Sequence, residues 1–452
     1  MRIIIIGAGQ VGQNIAARLA QEKKEVILID QNASALENIS EQLDVQVVEG
    51  SGSSPKVLEQ AGIKDCGILL AVTDRDEINL VACTFANMLS PKTRKLARIR
   101  NDEYLDYKDV WTKDLSISMV INPEVEVVRS IYRIMRAPKA VEINEFADGR
   151  IKLPVFLVEG DSLLDNVDLM KVRERIGVED VVVAAIVRGE KLIIPSGRDK
   201  IIKDDLIYLA CMDRDLDTIS ANLGGKSGKT KEVMIVGGGN IGFRLARFLE
   251  QKAFNVKLLE KNKDLCRLHS EKLDKTIVIN GDGTDQNILK EENVKDMDLV
   301  VTLTEDDETN ILSSLLSQKM GAAMTITRVN KQEYIPLVRT IGLKHIVSPR
   351  IAAVNTILNQ IRKGSIISAV AIREDVDVME ALINGDESLV NKRIKEFNLP
   401  EDVLILAVLR GSEVILPDGE TMIKPGDRIT VLSSRKSIDR LEKALTAKLE
   451  YY

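Results

Sequence analysis

The run Ile3-Ile4-Ile5-Ile6-Gly7-Ala8-Gly9-Gln10-Val11-Gly12 decides the fold. An apolar stretch that runs straight into three glycines at G-x-G-x-x-G spacing predicts a buried strand, a tight turn and the start of a helix. The next apolar run, Val26 to Ile29, ends on a carboxylate, Asp30. The helical spacing of Ile15, Ala16, Leu19 and Ala20 fills the interval, giving a βαβ unit. The pattern then recurs: Val233 to Val236 leads into Gly237-Gly238-Gly239-Asn240-Ile241-Gly242, and Val256 to Leu259 ends on Glu260. First glycines and acids are each offset by 230 residues, which marks an internal duplication.

Outward from the first fingerprint the alternation continues. A helix is expected over 33–42, a strand over 45–48, a helix over 55–61 and a buried strand over 67–72. The second half repeats the order with strands over 276–279 and 298–303. The likeness extends to residues. Val72-Thr73-Asp74-Arg75-Asp76-Glu77-Ile78-Asn79 matches Leu303-Thr304-Glu305-Asp306-Asp307-Glu308-Thr309-Asn310, and Arg98 with Tyr104 matches Arg328 with Tyr334. A proline-started amphipathic stretch follows each sheet, at 123–135 and 349–361.

Beyond these stretches the character changes. Residues 141–212 and 366–433 read as short strands with one or two helices, and they too match each other. Ile186 to Gly189 corresponds to Val408 to Gly411, and Pro195-Ser196-Gly197 to Pro417-Asp418-Gly419. The fold class is therefore α/β, with two Rossmann-like doubly wound parallel sheets, each followed by a small β-rich α+β domain. The expected boundaries are Rossmann-like domains at 1–120 and 232–346, crossover helices at 121–140 and 347–365, small domains at 141–222 and 366–452, and a linker at 223–231.

The fingerprints carry nucleotide chemistry. The first two glycines let the backbone turn tightly and approach a pyrophosphate, whose charge is stabilised by the N–H groups and dipole of a helix start. Asp30 and Glu260 accept hydrogen bonds from both ribose hydroxyls and repel a 2′-phosphate, which favours NAD(H), ATP or ADP over NADP. Thr73-Asp74 and Thr304-Glu305 follow the fourth strand, where they line ribose and phosphate or serve simply as acidic helix caps. Arg98 and Arg328 pair with phosphate oxygens or form surface ion pairs. Ser51 stands where the second half has Asp282, so a carboxylate is missing from one site.

Other functions are disfavoured. A net charge of -6 speaks against a nucleic-acid partner. The four cysteines show no C-x-x-C spacing and the two histidines, His269 and His345, are too few for a zinc set, so no metal site is expected. Met1-Arg2 carries a signal-like charge, but the isoleucines are too few for a signal h-region and suit a first strand better. No apolar run approaches the ~18 residues of a membrane span. Gly224 to Thr230 imitates a phosphate-binding loop, yet Leu223 stands where Walker A needs glycine.

Two glycine fingerprints with Asp30 and Glu260, the arginines Arg98 and Arg328, a proline-started crossover helix and a small domain ending in Pro417-Asp418-Gly419 and Gly426-Asp427 resemble the RCK (regulator of K+ conductance) family. Two units in one chain of this length resemble the peripheral subunits of bacterial Trk potassium uptake systems. The resemblance implies a non-catalytic, cytoplasmic gating subunit, a homotetrameric ring on the inner face of the membrane. Its partner would be a membrane-embedded K+-translocating subunit, and NAD(H) or ATP/ADP its regulatory ligands. An NAD-dependent oxidoreductase and a soluble nucleotide sensor acting on another partner are the alternative readings.

Overall fold

In the computed structural model the described residues are 2–21, 24–113, 115–160, 162–189, 191–195, 199–223, 231–331, 333–361, 366–373, 376–383, 390–397, 399–400, 402–434 and 437. The Walker-like stretch Gly224 to Thr230 lies outside them. The chain divides into two compact units. One holds Met1–Ile131 with Thr230–Ile361, the other Tyr132–Lys229 with Arg362–Tyr452. Large domain is thus grouped with large and small with small, and the division falls inside the first proline-started helix.

In the first unit, strands β1 (Arg2–Ile6), β2 (Glu25–Asp30), β3 (Gln46–Glu49), β4 (Cys66–Ala71), β5 (Arg94–Arg98) and β6 (Ile117–Ile121) form one sheet in the order β3-β2-β1-β4-β5-β6. All its pairings are parallel. Ile3 to Ile6 are fully buried because helices cover both faces, which is why that strand reads as a continuous apolar run instead of an alternating one. Helices α1 (Gln10–Gln21) and α2 (Asp76–Leu89) flank it, and α3 (Pro123–Arg136) leaves it. Strand order reverses between β1 and β4, and that switch point opens a crevice at the carboxyl ends of the strands.

The second sheet repeats the order. Strands β7 (Glu232–Val236), β8 (Asn255–Glu260), β9 (Ile277–Asn280), β10 (Leu299–Thr302), β11 (Thr325–Arg328) and β12 (His345–Val347) run β9-β8-β7-β10-β11-β12, again parallel. Its helices include α4 (Asn240–Glu250), α5 (Asp307–Lys319) and α6 (Pro349–Ile361). The expected doubly wound pair of sheets is what the chain forms. The helix α6 crosses over: Ala353, Val354, Ile357 and Ile361 join the core of the first sheet beside Val11, Ile15 and Leu19 of α1. Burying a second-half helix in a first-half core makes the two Rossmann domains interdependent.

The second unit holds two antiparallel five-stranded sheets of one topology. Equivalent turns anchor them: Arg188 makes a two-pronged contact with Asp205 at 2.8 and 2.9 Å, and Arg410 does the same with Asp427 at 2.9 and 2.8 Å. Asp204 replaces Gly426 at the left-handed position of that turn, with φ of 66° against 83°, so the two turns differ less in space than in letters. Phe146, Leu153 and Tyr208 of the first sheet share a core with Leu406, Leu409 and Leu432 of the second. Cys66, Cys83, Cys211 and Cys266 are all buried thiols. Burial pushes Cys66 up to about 11 and Cys83 and Cys211 up to about 12, keeping them protonated at neutral pH.

Candidate functional site

Each crevice is built from three glycines with three different duties. Gly7 and Gly237 take φ of +109° and +103°, a backbone conformation that side chains disfavour, and so turn the chain off the strand. A methyl group on Gly12 would lie 1.9 Å from the Gly7 carbonyl oxygen, and one on Gly242 would lie 1.9 Å from that of Gly237. These third glycines let helix and turn close on each other. At Gly9 and Gly239 a methyl group would meet nothing within 4 Å. Those positions face open space at the start of α1 and α4, where N–H groups and the helix dipole favour an anion. The side chains of Val11 and Ile241 are buried, so what they offer a ligand is backbone.

The acids close the glycine turns. Asp30 accepts from the Ala8 N–H at 2.6 Å and from the Asn32 N–H at 2.9 Å. Glu260 accepts from the Gly238 N–H at 2.6 Å and from the Asn262 N–H at 2.7 Å. Paired residues explain the difference between the halves: the longer acid goes with the smaller Gly238, where a methyl group would crowd Glu260 Cβ at 3.1 Å. His269 adds to this turn, donating from Nε2 to the Gly238 carbonyl at 2.6 Å and stacking on Phe243 with ring centroids 4.8 Å apart. Its role rests on tertiary contact, which a helical position in sequence does not reveal. His345 lies in β12, beside Ile326 of β11.

A second motif, missed in the sequence reading, holds the fourth and fifth strands together. Asn79, fully buried, accepts from the Thr73 N–H at 3.0 Å and hydroxyl at 2.8 Å, and donates to the Arg98 carbonyl at 2.8 Å. Asn310 repeats this with Thr304 and Arg328 at 2.8, 2.8 and 3.2 Å. Asp76 accepts from the N–H groups of Arg100 and Asn101, and Asp307 from those of Asn330 and Lys331. The identity of these residues in both copies was the available signal. Asp74 and Glu305 are exposed, whereas Thr73 and Thr304 are spent on the asparagine network.

Arg98 and Arg328 are not surface ion pairs. Arg98 Nη1 donates to the Thr73 carbonyl at 3.1 Å and Arg328 Nη1 to that of Leu303 at 3.4 Å. In both, Nε is buried without a hydrogen-bond partner among the described residues, and burial pulls both guanidinium groups below their usual pKa. A buried, under-partnered cation is stabilised by an anion. Together with the open space at Gly9 and Gly239, this orphaned donor suits a nucleotide phosphate.

The halves differ beside Asp30 and Glu260. Ser51 bonds to Ser53 at 2.8 Å, while Asp282 pairs with Lys261 at 2.8 Å and accepts from the Thr284 N–H at 2.9 Å. Lys261 first, then the Thr284 donors, hold the Asp282 carboxyl down to about 2. A cavity of about 590 Å³ brings Asp74, Arg75 and Arg100 of the first Rossmann domain together with Asn240, Phe243 and Arg244 of the second. The second domain's fingerprint helix therefore starts on a cavity that Asp74, one of the first domain's expected site residues, also lines.

The TrkA-N domain model matches residues 3–123 and 233–349, and the TrkA-C domain model residues 378–446. The chain is 35% identical over 458 residues to the Trk system potassium uptake protein TrkA of Halomonas elongata, covering all of both chains. The chain belongs to the TrkA family. It is also 36% identical over 450 residues to the TrkA of Haemophilus influenzae, with 98% of each chain covered. Among solved structures, the GsuK RCK domain aligns with 99% of this chain and 95% of its own at TM-score 0.61 and 18% identity. The GsuK channel bound to NAD aligns with 99% and 79% at TM-score 0.62 and 18% identity. At that identity the likeness establishes the RCK-type fold. Among the described residues no helix is long and apolar enough to cross a membrane, and no group of His, Cys, Asp and Glu is placed to hold a metal.

Proposed function

We propose that this TrkA-family chain is a nucleotide-responsive regulatory subunit of a potassium uptake system, working by gating and not by catalysis. The observation that carries the reading is the duplicated cradle: an open glycine loop, a ribose acid and a buried arginine with an orphaned Nε, present in both halves. NAD(H) or ATP/ADP would lay its pyrophosphate on Gly7 to Gly12 and Gly237 to Gly242, its ribose against Asp30 and Glu260, and its phosphate charge toward Arg98 and Arg328. Ala8, Gly238, Gln10 and Asn240 would contribute backbone at the same turns, with Thr73, Asp74, Thr304 and Glu305 along the rim. Ser51 and Asp282 would flank the ribose side.

A ligand moves a conformational equilibrium only through unequal affinity for its states, and a tenfold preference supplies about 1.4 kcal/mol per site. The two cradles lie in one compact unit whose domains share α6, so rearrangement of either is felt by the other. Four such chains would form a ring peripheral to the inner face of the membrane, passing the change to a membrane-embedded K+-translocating subunit. GsuK, a channel of like fold solved with NAD and with ADP, offers a precedent in a different protein.

Calorimetry of the full chain with NADH, ATP and ADP tests the ligands, beside Asp30→Ala and Glu260→Ala. Binding that weakens at one class of site in each variant is expected; no binding of any of the three overturns the reading. Co-purification with the membrane subunit tests the partner, and substrate-dependent turnover of NADH would overturn the non-catalytic part.

A further inference from the structure

The middle residue of each glycine turn is held in a different way. In the second cradle three glycines stand in a row, Gly237 to Gly239, and Gly238 offers no side chain to pack. Both of its backbone polar groups are taken by side chains instead: Glu260 accepts from its N–H and His269 Nε2 donates to its carbonyl, each at 2.6 Å. The His269 ring is 6% exposed, stacks on Phe243 of α4 and leaves Nδ1 without a hydrogen-bond partner among the described residues, so its polar edge is committed to the loop. In the first cradle the counterparts, offset by 230 residues, are Ala8, Asp30 and Ile39. Ile39 has no donor. It is buried with Ala8 in one apolar cluster, so there a methyl group holds the loop by packing.

We propose that His269 is a positioning residue for the glycine loop of the second cradle, fixing the Gly238–Gly239 peptide so that the Gly239 N–H is presented to a phosphate. The inference rests on the nucleotide reading above. A trans peptide carries its C=O and N–H on opposite sides of the C–N bond. With the carbonyl drawn to His269, the Gly239 N–H turns to the other side, at a residue where a methyl group would meet nothing within 4 Å. Glycine has the most conformational freedom of any residue, so two in succession let such a peptide flip unless something restrains it. His269 supplies the restraint and orders the donor before the anion arrives. Gly238 does not take a positive φ, so backbone conformation alone does not demand glycine there. Its neighbours do. A methyl group on Gly238 would lie 3.1 Å from His269 Cδ2, Glu260 Cβ and Glu260 Oε2 alike, so glycine goes with Glu and His, and alanine with Asp and Ile.

The test is calorimetry of the full chain with NADH and with ADP, reading the second cradle in an Asp30→Ala background and the first in a Glu260→Ala background. His269→Ile should weaken binding at the second cradle about fivefold, the effect of one hydrogen bond, and leave the first unchanged. His269→Gln keeps a side-chain N–H donor and should bind better than His269→Ile. Gly238→Ala beside an intact His269 should weaken binding too. Gly238→Ala, Glu260→Asp and His269→Ile together rebuild the first cradle's arrangement and should recover the affinity that His269→Ile alone loses. Unchanged binding in His269→Ile, equal loss at both cradles, no advantage of Gln over Ile or no recovery in the triple variant overturns the inference while leaving nucleotide binding intact. Binding to the unmodified chain but not to the Asp30→Ala chain overturns it as well, since the second cradle then takes neither nucleotide. No binding of either by the unmodified chain overturns the nucleotide reading, and this inference with it.

Discussion

Asn79 donates its side-chain amide to the backbone carbonyl of Arg98 at 2.8 Å while its own carbonyl oxygen accepts from Thr73. One buried side chain thereby fixes the spacing between the ends of two parallel strands, and with it the backbone from which Arg98 projects its guanidinium with the orphaned Nε. Asn310 sets the same relation with Arg328 and Thr304. Positioning of the arginine is a matter of backbone geometry that a salt bridge would not supply.

Replacing Asn79 with Ala leaves the Thr73 N–H and the Arg98 carbonyl without their side-chain partner. A buried group so stranded costs about 1–3 kcal/mol, so Asn79→Ala and Asn310→Ala should each lower the denaturation midpoint of the Rossmann unit and weaken nucleotide binding. Urea unfolding followed by intrinsic fluorescence and calorimetry on the same preparations checks both. Unchanged stability would show that the network is dispensable.

The glycines separate folding from binding. Gly9→Ala and Gly239→Ala add a methyl group to open space and should fold normally while losing nucleotide affinity tenfold or more, on the order of 1.4 kcal/mol. Gly12→Ala and Gly242→Ala drive a methyl group to 1.9 Å from a carbonyl oxygen and should damage the fold itself. Thermal melts with and without ligand distinguish the pairs. Equal loss of stability in all four variants would contradict the assigned duties.

The sheets were legible because parallel strands covered on both faces must be apolar throughout, as Ile3 to Ile6 are. The glycine turns were legible because only their spacing permits the close approaches found at Gly12 and Gly242. Asn79 and Asn310 recur at equivalent positions of the repeat, but their role is not legible there, since a polar residue in a helical stretch ordinarily faces water. The exchange of α6 was beyond reach for another reason. Ala353, Val354 and Ile357 mark an apolar stripe, but a stripe does not say which of two similar domains will cover it. Arg98 was read either as a phosphate ligand or as a surface ion pair; its buried Nε excludes the second.

In the small-domain unit the Glu380 side chain, 5% exposed, accepts from the Ala147 N–H at 2.6 Å and faces Arg428 at 3.4 Å. It bridges the two copies of the small domain. Glu380→Ala removes a charged acceptor from a buried donor and should destabilise this unit by about 2 kcal/mol, whereas Glu380→Gln keeps an acceptor and should cost less. Urea midpoints of the two variants give the comparison, and equal losses would argue against the hydrogen bond to Ala147 as the cause.

The pH behaviour of the second cradle follows from Asp282. Its carboxyl is held down to about 2 by Lys261 and Thr284, against an ordinary value of about 3.9. A depressed folded-state pKa means the ionised form is stabilised by folding. That contribution is complete above about pH 4 and is lost as the pH falls from there toward 2. Asp282→Asn should therefore be less stable than the unmodified chain at pH 6, and the gap should close at pH 2. With Lys261 80% exposed the effect is screened, so raising the salt should shrink the gap at pH 6 as well. Ser51→Ala in the first half has no charge to titrate, and its effect should be level across the same range. A gap between Asp282→Asn and the unmodified chain that persists to pH 2 would show that the aspartate acts through its shape and not through its charge.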